Sequence, residues 1–146
     1  MNAPLYNAEI LRLAASIPHH ERLETPMGSA ERRSPICGSR VTVDVDIDDE
    51  GRVRAVGMLV RACALGQASS ALLATHVVGR TPAEIAAARD DLTRWLAGDG
   101  AAPGWPGLDV FAPALTYTAR HASIRLAFEA AADAAEAAVA KDTAHA

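Results

Sequence analysis

The stretch Arg40-Val41-Thr42-Val43-Asp44-Val45-Asp46-Ile47, followed by Asp48-Asp49-Glu50-Gly51 and then Arg52-Val53-Arg54-Ala55-Val56-Gly57-Met58-Leu59-Val60, decides the fold. Val41, Val43, Val45 and Ile47 alternate with Arg40, Thr42, Asp44, Asp46 and Asp48. A period of two puts the apolar set on one face of a strand and predicts a wet opposite face. The acidic run ending in Gly51 supplies a turn, and the branched residues of Val53 to Val60 return as the second strand of an antiparallel hairpin.

Upstream, Tyr6, Ile10, Leu13 and Ile17 recur at helical spacing, which predicts an amphipathic opening helix that Pro18 ends. Residues 19–35 carry Pro, Gly, Ser and charges without a period, so they read as a connecting segment that includes an edge strand. Downstream, the Ala/Leu-rich run from Ala64 to Val78 predicts a helix closed by Gly79. Thr81-Pro82-Ala83-Glu84 is a capping box opening a further helix that turns Ile85, Leu92, Trp95 and Leu96 inward and ends near Gly98.

The Gly- and Pro-rich stretch from Gly98 to Gly107 predicts a surface loop. A last helix is expected from about His121 to Ala140, with Ile124, Ala127 and Phe128 on its apolar face and an Ala-rich later half short of anchoring side chains. One helix, then strands, then a run of helices argues for an α+β fold: a three-stranded antiparallel sheet with helices packed on one face. A length of 146 residues suits one domain, with a core from about residue 5 to 131 and an Ala-rich C-terminal tail.

Composition narrows the function classes. The chain is 50% hydrophobic and 22% charged, with a net charge of -4, and its basic residues are scattered arginines rather than a dense block. A nucleic-acid partner is therefore not expected. No run reaches the roughly 20 apolar residues of a membrane helix, and the first residues do not resemble a secretion signal. A cytoplasmic setting follows, in which Cys37 and Cys63 are expected as thiols or metal ligands rather than a structural disulfide.

Cys37 precedes the first strand within Ser34-Pro35-Ile36-Cys37-Gly38-Ser39, and Cys63 follows the second strand at the start of the next helix. Antiparallel pairing brings the two to the same end of the sheet. A position at a helix N-terminus, with Arg61 close in sequence, favours the thiolate of Cys63, the form that binds metal. The alternative is that both thiols are buried as small hydrophobes. Two thiolates do not fill a tetrahedral site. His121 is the nearest further candidate ligand, with His19 and His20 behind it. There is no glycine-rich phosphate loop, no HExxH and no Gly-x-Ser-x-Gly turn, and a catalytic role is not expected.

Three segments then occur in a telling order. They are Pro35-Ile36-Cys37-Gly38-Ser39, Ala62-Cys63-Ala64-Leu65-Gly66-Gln67-Ala68-Ser69, and Arg120-His121-Ala122-Ser123-Ile124-Arg125-Leu126-Ala127-Phe128. Together the chain resembles the U-type iron-sulfur cluster assembly scaffolds (IscU, SufU and the NifU amino-terminal domain) from Leu5-Tyr6 to about Ala131. The long stretch between the second and third segments looks more like the SufU branch. The resemblance implies a site of three cysteines and one aspartate that holds a nascent 2Fe-2S cluster, or zinc in SufU-like members. Cys37 and Cys63 take two cysteine places; Ser39 stands in the aspartate place and Ser123 in that of the third cysteine.

What the resemblance implies for function is an assembly scaffold or carrier that binds iron or an iron-sulfur cluster through Cys37 and Cys63, with Ser39, Ser123 and His121 at the site and zinc as the other metal. A cysteine desulfurase and other assembly proteins are the implied partners, and two chains in a homodimer could supply four thiolates. The alternatives are a metal-poor module that docks on such partners, and a zinc-dependent sulfur acceptor like SufU.

Overall fold

The structure, a computed structural model, describes residues 5–35 and 38–144. In chain order it contains α1 (Ala8–Ala15), β1 (Gly28–Arg33), β2 (Arg40–Ile47), β3 (Val53–Arg61), α2 (Ala64–His76), α3 (Pro82–Leu96) and α4 (His121–Ala144), with short 3-10 turns at Leu108–Ala114 and Thr118–Arg120 before α4. The strands form one antiparallel sheet in the order β1-β2-β3. This is the α+β arrangement that the alternation and the helical runs predict, and the segment 19–35 does contain the edge strand.

The hairpin register pairs Val41 with Val60, Val43 with Met58 and Val45 with Val56, so one face of the sheet is continuously apolar. Val41, Val43, Val45 and Met58 are fully buried there under the helices, each burial contributing roughly 1.5–3 kcal/mol. The turn is held by Asp48, whose Oδ1 accepts from the amides of Glu50 and Arg52. Gly51 supplies the left-handed backbone, with φ of 78°, that closes it.

The opposite face differs from the expected wet surface. Asp44 is fully buried, because the segment from His19 to Leu23 crosses the sheet as a strap. The amide of Met58 donates to the carbonyls of His19 and Glu21, and Gly57 permits the crossing: a Cβ there would stand 2.4 Å from the Glu21 oxygen and 2.7 Å from the Leu23 nitrogen. Asp44 accepts from Arg22 Nε at 2.6 Å, Ser29 Oγ at 2.6 Å and the Leu23 amide at 3.0 Å. Burial pushes its carboxyl pKa up, but the bonds from Arg22, Ser29 and Leu23 outweigh it and hold the group below its ordinary 3.8.

A depressed folded-state pKa means that this contribution is present above the unfolded value and fades as pH falls through the folded one. Urea unfolding followed from about pH 5 to pH 2 should therefore show stability dropping on acidification. Asp44→Asn should remove part of that slope, at a cost near neutrality of about 1–2 kcal/mol. An unchanged acid slope in the variant would refute the assignment.

The helices follow their sequence signals with three differences. Helix α1 starts at the Asn7 cap and stops at Ser16, before Pro18, with Ile10 buried and Tyr6 largely exposed. The capping box at Thr81 and Glu84 is formed in both directions, and Ile85, Leu92, Trp95 and Leu96 are buried as expected. Trp105, inside the Gly- and Pro-rich loop, is buried instead of exposed. Its indole N–H donates to the Leu72 carbonyl at 2.9 Å, its ring meets Phe128 edge-on, and the Arg80 guanidinium lies over it.

The largest difference is in α4, whose Ala-rich half is not a weakly held tail. Ala130, Ala131, Ala134, Ala135 and Ala138 are fully buried against the sheet. Small side chains let the helix backbone approach β1, and the approach is closest at Gly28, where a Cβ would lie 2.0 Å from the Ala134 oxygen and 2.5 Å from the Ala138 nitrogen. The packed core thus extends beyond residue 131 to Ala138.

Candidate metal centre

Four pieces of chain meet at the end of the sheet where β2 begins and β3 ends. The amide of Ser34, just after β1, donates to the carbonyl of Ser39, just before β2, at 2.8 Å, and closes the loop in which Cys37 sits in sequence. Cys37 itself lies outside the described residues. Arg40 pairs with Arg61, so Cys63 emerges from β3 on the level of this loop. Cys63 is the N-cap of α2, half-buried at the edge of the core, and its side chain makes no capping hydrogen bond. Among the described residues it is a free thiol.

Ser123 comes from the first turn of α4. Gly66, one turn into α2, fits closely here: a Cβ there would stand 2.7 Å from the Ala62 Cβ and 3.2 Å from the Ser123 backbone oxygen. Ser69 Oγ donates to the Ile124 carbonyl at 2.6 Å and locks the two helix starts together. Across this junction Ser39 Oγ and Ser123 Oγ lie 3.3 Å apart, both buried, although 84 residues separate them in sequence. The two positions expected from the sequence resemblance to replace an aspartate and a third cysteine are therefore adjacent, and they hold two neutral hydroxyls that hydrogen-bond each other.

The histidines divide differently. His121 is buried at the start of α4, with Nε2 2.9 Å from the carbonyl oxygen of Ala114. A carbonyl only accepts, so this bond puts a ring hydrogen on Nε2. His20 lies on the strap and its Nε2 accepts the Val60 amide at 3.2 Å, so that nitrogen is engaged with β3. His19 is exposed, with φ of 57°. Among the described residues no three His, Cys, Asp or Glu side chains gather as a metal-binding group.

Sequence reasoning did not find Ser34 or Gly66. The first contributes through its backbone, and the second is visible only as a small residue one turn after a helix cap. The arginines read as scattered are the other omission, because Arg33, Arg40 and Arg61 are brought into one row by strand register.

Similarity of the sequence to known proteins establishes the family. The family model described as the NifU-like N terminal domain matches residues 5–104. The chain belongs to the NifU-like N-terminal domain family. Its structure superposes with TM-score 0.87 on the N-terminal part of a nitrogen-fixing NifU-like protein from Brucella abortus, 40% identical, over 94% of this chain and 96% of that one. It also superposes with TM-score 0.82 on FiSufU from Fervidobacterium islandicum, named as a candidate iron-sulfur cluster assembly scaffold for the SUF system, at 20% identity over 90% and 96% of the two chains. The latter likeness carries the fold alone. No curated protein matches the sequence. No helix among the described residues is long and apolar enough to cross a membrane.

Proposed function

We propose that this NifU-like domain is an iron-sulfur cluster assembly scaffold or carrier that holds iron or a cluster as cargo through the thiolates of Cys37 and Cys63. The observation that supports the reading is the meeting of Ser39 and Ser123 at 3.3 Å at the sheet end where the helix capped by Cys63 begins. The donor set fits in part. Two thiolates are soft ligands suited to iron-sulfur clusters or zinc. Neutral serine hydroxyls are poor ligands near neutral pH, so the cargo is held more weakly than by four strong donors. His121, or the thiolates of a second chain in a homodimer, supplies the remaining coordination. The role is binding rather than catalysis, and a cysteine desulfurase is the sulfur source of this reading.

Iron counting after anaerobic loading tests it. Wild type is expected to retain iron through desalting, and the Cys37→Ala/Cys63→Ala variant to lose it; equal retention would refute the assignment.

The mutual hydrogen bond of Ser39 and Ser123 favours a second reading. In it the domain is a docking module for assembly proteins whose site is satisfied without metal. A zinc-dependent sulfur acceptor is the third. It requires thiol alkylation to slow when zinc is added, because a zinc-bound thiolate is a weaker nucleophile than a free one.

A further inference from the structure

The helices cover one face of the sheet, and the strap crosses the other over Asp44 and Gly57, with His20 reaching the Val60 amide. Toward the candidate metal centre, beside His20 and Arg22, that outer face leaves Glu31, Arg33, Leu59 and Arg61 exposed. Register places Arg33, Arg40 and Arg61 directly beside one another across the three strands, and Glu31, Thr42 and Leu59 form the next row. Side chains directly opposite on paired strands share a face, and neighbouring strands are about 4.8 Å apart. The three guanidiniums therefore stand as a ridge across the sheet.

This ridge is under-neutralised. Glu31 lies 2.9 Å from Arg33 and 3.7 Å from Arg40, and among the described residues no carboxylate pairs with Arg61. Three positive groups thus face one negative group, on a chain whose net charge is -4. Arg40 and Arg61 line two adjoining depressions, one running to Ser34 and Gly38 and the other to Thr42 and Leu59. Leu59 is 46% exposed in the second. An exposed apolar side chain flanked by arginines in a shallow depression has the composition of a protein interface, in which Arg is enriched and supplies many of the dominant contacts.

We propose that this outer sheet face docks an acidic segment of a partner protein, with carboxylates on Arg33, Arg40 and Arg61 and an apolar residue on Leu59. The surface borders Ser34 and Gly38, so a bound segment would hold its owner beside the metal centre. The docking does not depend on cargo, and it stands whether or not Cys37 and Cys63 hold iron.

The test is fluorescence anisotropy of the metal-free full chain with a labelled amphipathic peptide of Glu and Leu, and with its Gln and Leu counterpart. Wild type should bind the acidic peptide, with affinity falling as salt rises, and the Gln peptide should bind at least about tenfold more weakly. Arg33→Gln/Arg40→Gln/Arg61→Gln should lose about tenfold or more. Leu59→Glu alone should weaken binding, and Arg12→Gln/Arg94→Gln, whose arginines lie on α1 and α3, should bind like wild type. Equal binding by the triple variant would overturn the proposal. Displacement of the peptide by inorganic phosphate at the same concentration as unlabelled peptide would overturn it in favour of a small-anion site.

Discussion

Replacing Gly28 by alanine or valine is expected to destabilise the protein by about 3 kcal/mol, because the clash occurs at the first atom added. A Cβ at this position would lie 2.0 Å from the Ala134 oxygen and 2.5 Å from the Ala138 nitrogen, both backbone atoms of α4. No side-chain rotation relieves such a contact, so helix and strand must separate. Separation loosens the packing of Ala130, Ala131, Ala134 and Ala135, which are fully buried in the close approach. Gly104→Ala is the control: nothing lies within 4 Å of its added Cβ, and its effect should stay within about 0.5 kcal/mol. Urea midpoints of the two variants should differ clearly, and coincident midpoints would show that α4 does not rest on β1 at this distance.

The second large effect is a gain. Ser39→Asp with Ser123→Cys would restore a carboxylate and a thiolate at two positions that already touch. Structural zinc in a four-ligand site is worth about 10–16 kcal/mol near neutral pH. Each added strong ligand then contributes about 3 kcal/mol, roughly a hundredfold in affinity, and the double variant adds two. Competition with a chromophoric chelator should show zinc binding at least about a hundredfold tighter in the double variant than in wild type. The cost appears without metal, where a buried carboxylate replaces a neutral hydroxyl and should lower the melting temperature; added zinc should reverse that loss. An unchanged zinc affinity would mean that the cysteine positions do not converge on Ser39 and Ser123.

What the sequence made legible follows from the range of each signal. The hairpin was readable because its period of two, its turn and its return strand are contiguous, and the register of Val41 with Val60 follows from them. The capping box at Thr81 was readable for the same reason. The strap was not, since it depends on a missing Cβ at Gly57 and on Asp44 finding Arg22 and Leu23 more than twenty residues away. Alternation marked Asp44 as exposed, and only tertiary hydrogen bonding explains its burial.

The Ala-rich half of α4 departs from the expectation because large side chains are not what anchors it. Here small size is what permits the contact with Gly28. The segment between Trp105 and His121 has no helical or strand period, and its 3-10 turns are organised by packing of Leu108 and Phe111.

The candidate centre was legible in outline. Two cysteines flanking one hairpin must return to one end of the sheet, and the structure brings Ser39 and the start of α2 to that end. The partnership of Ser39 with Ser123 spans 84 residues, and only the ordered resemblance of three segments pointed to it. The bond from His121 to Ala114 also had no sequence signal, because its acceptor is a backbone carbonyl.

The central claim, that Cys37 and Cys63 hold an iron-sulfur cargo despite the two serines, is tested most directly by anaerobic reconstitution with ferrous iron and sulfide, followed by visible absorption of the desalted protein. Wild type is expected to show a sulfide-to-iron charge-transfer chromophore that is absent from Cys37→Ala/Cys63→Ala. Identical spectra from the two proteins would contradict it and leave the metal-free docking reading in its place.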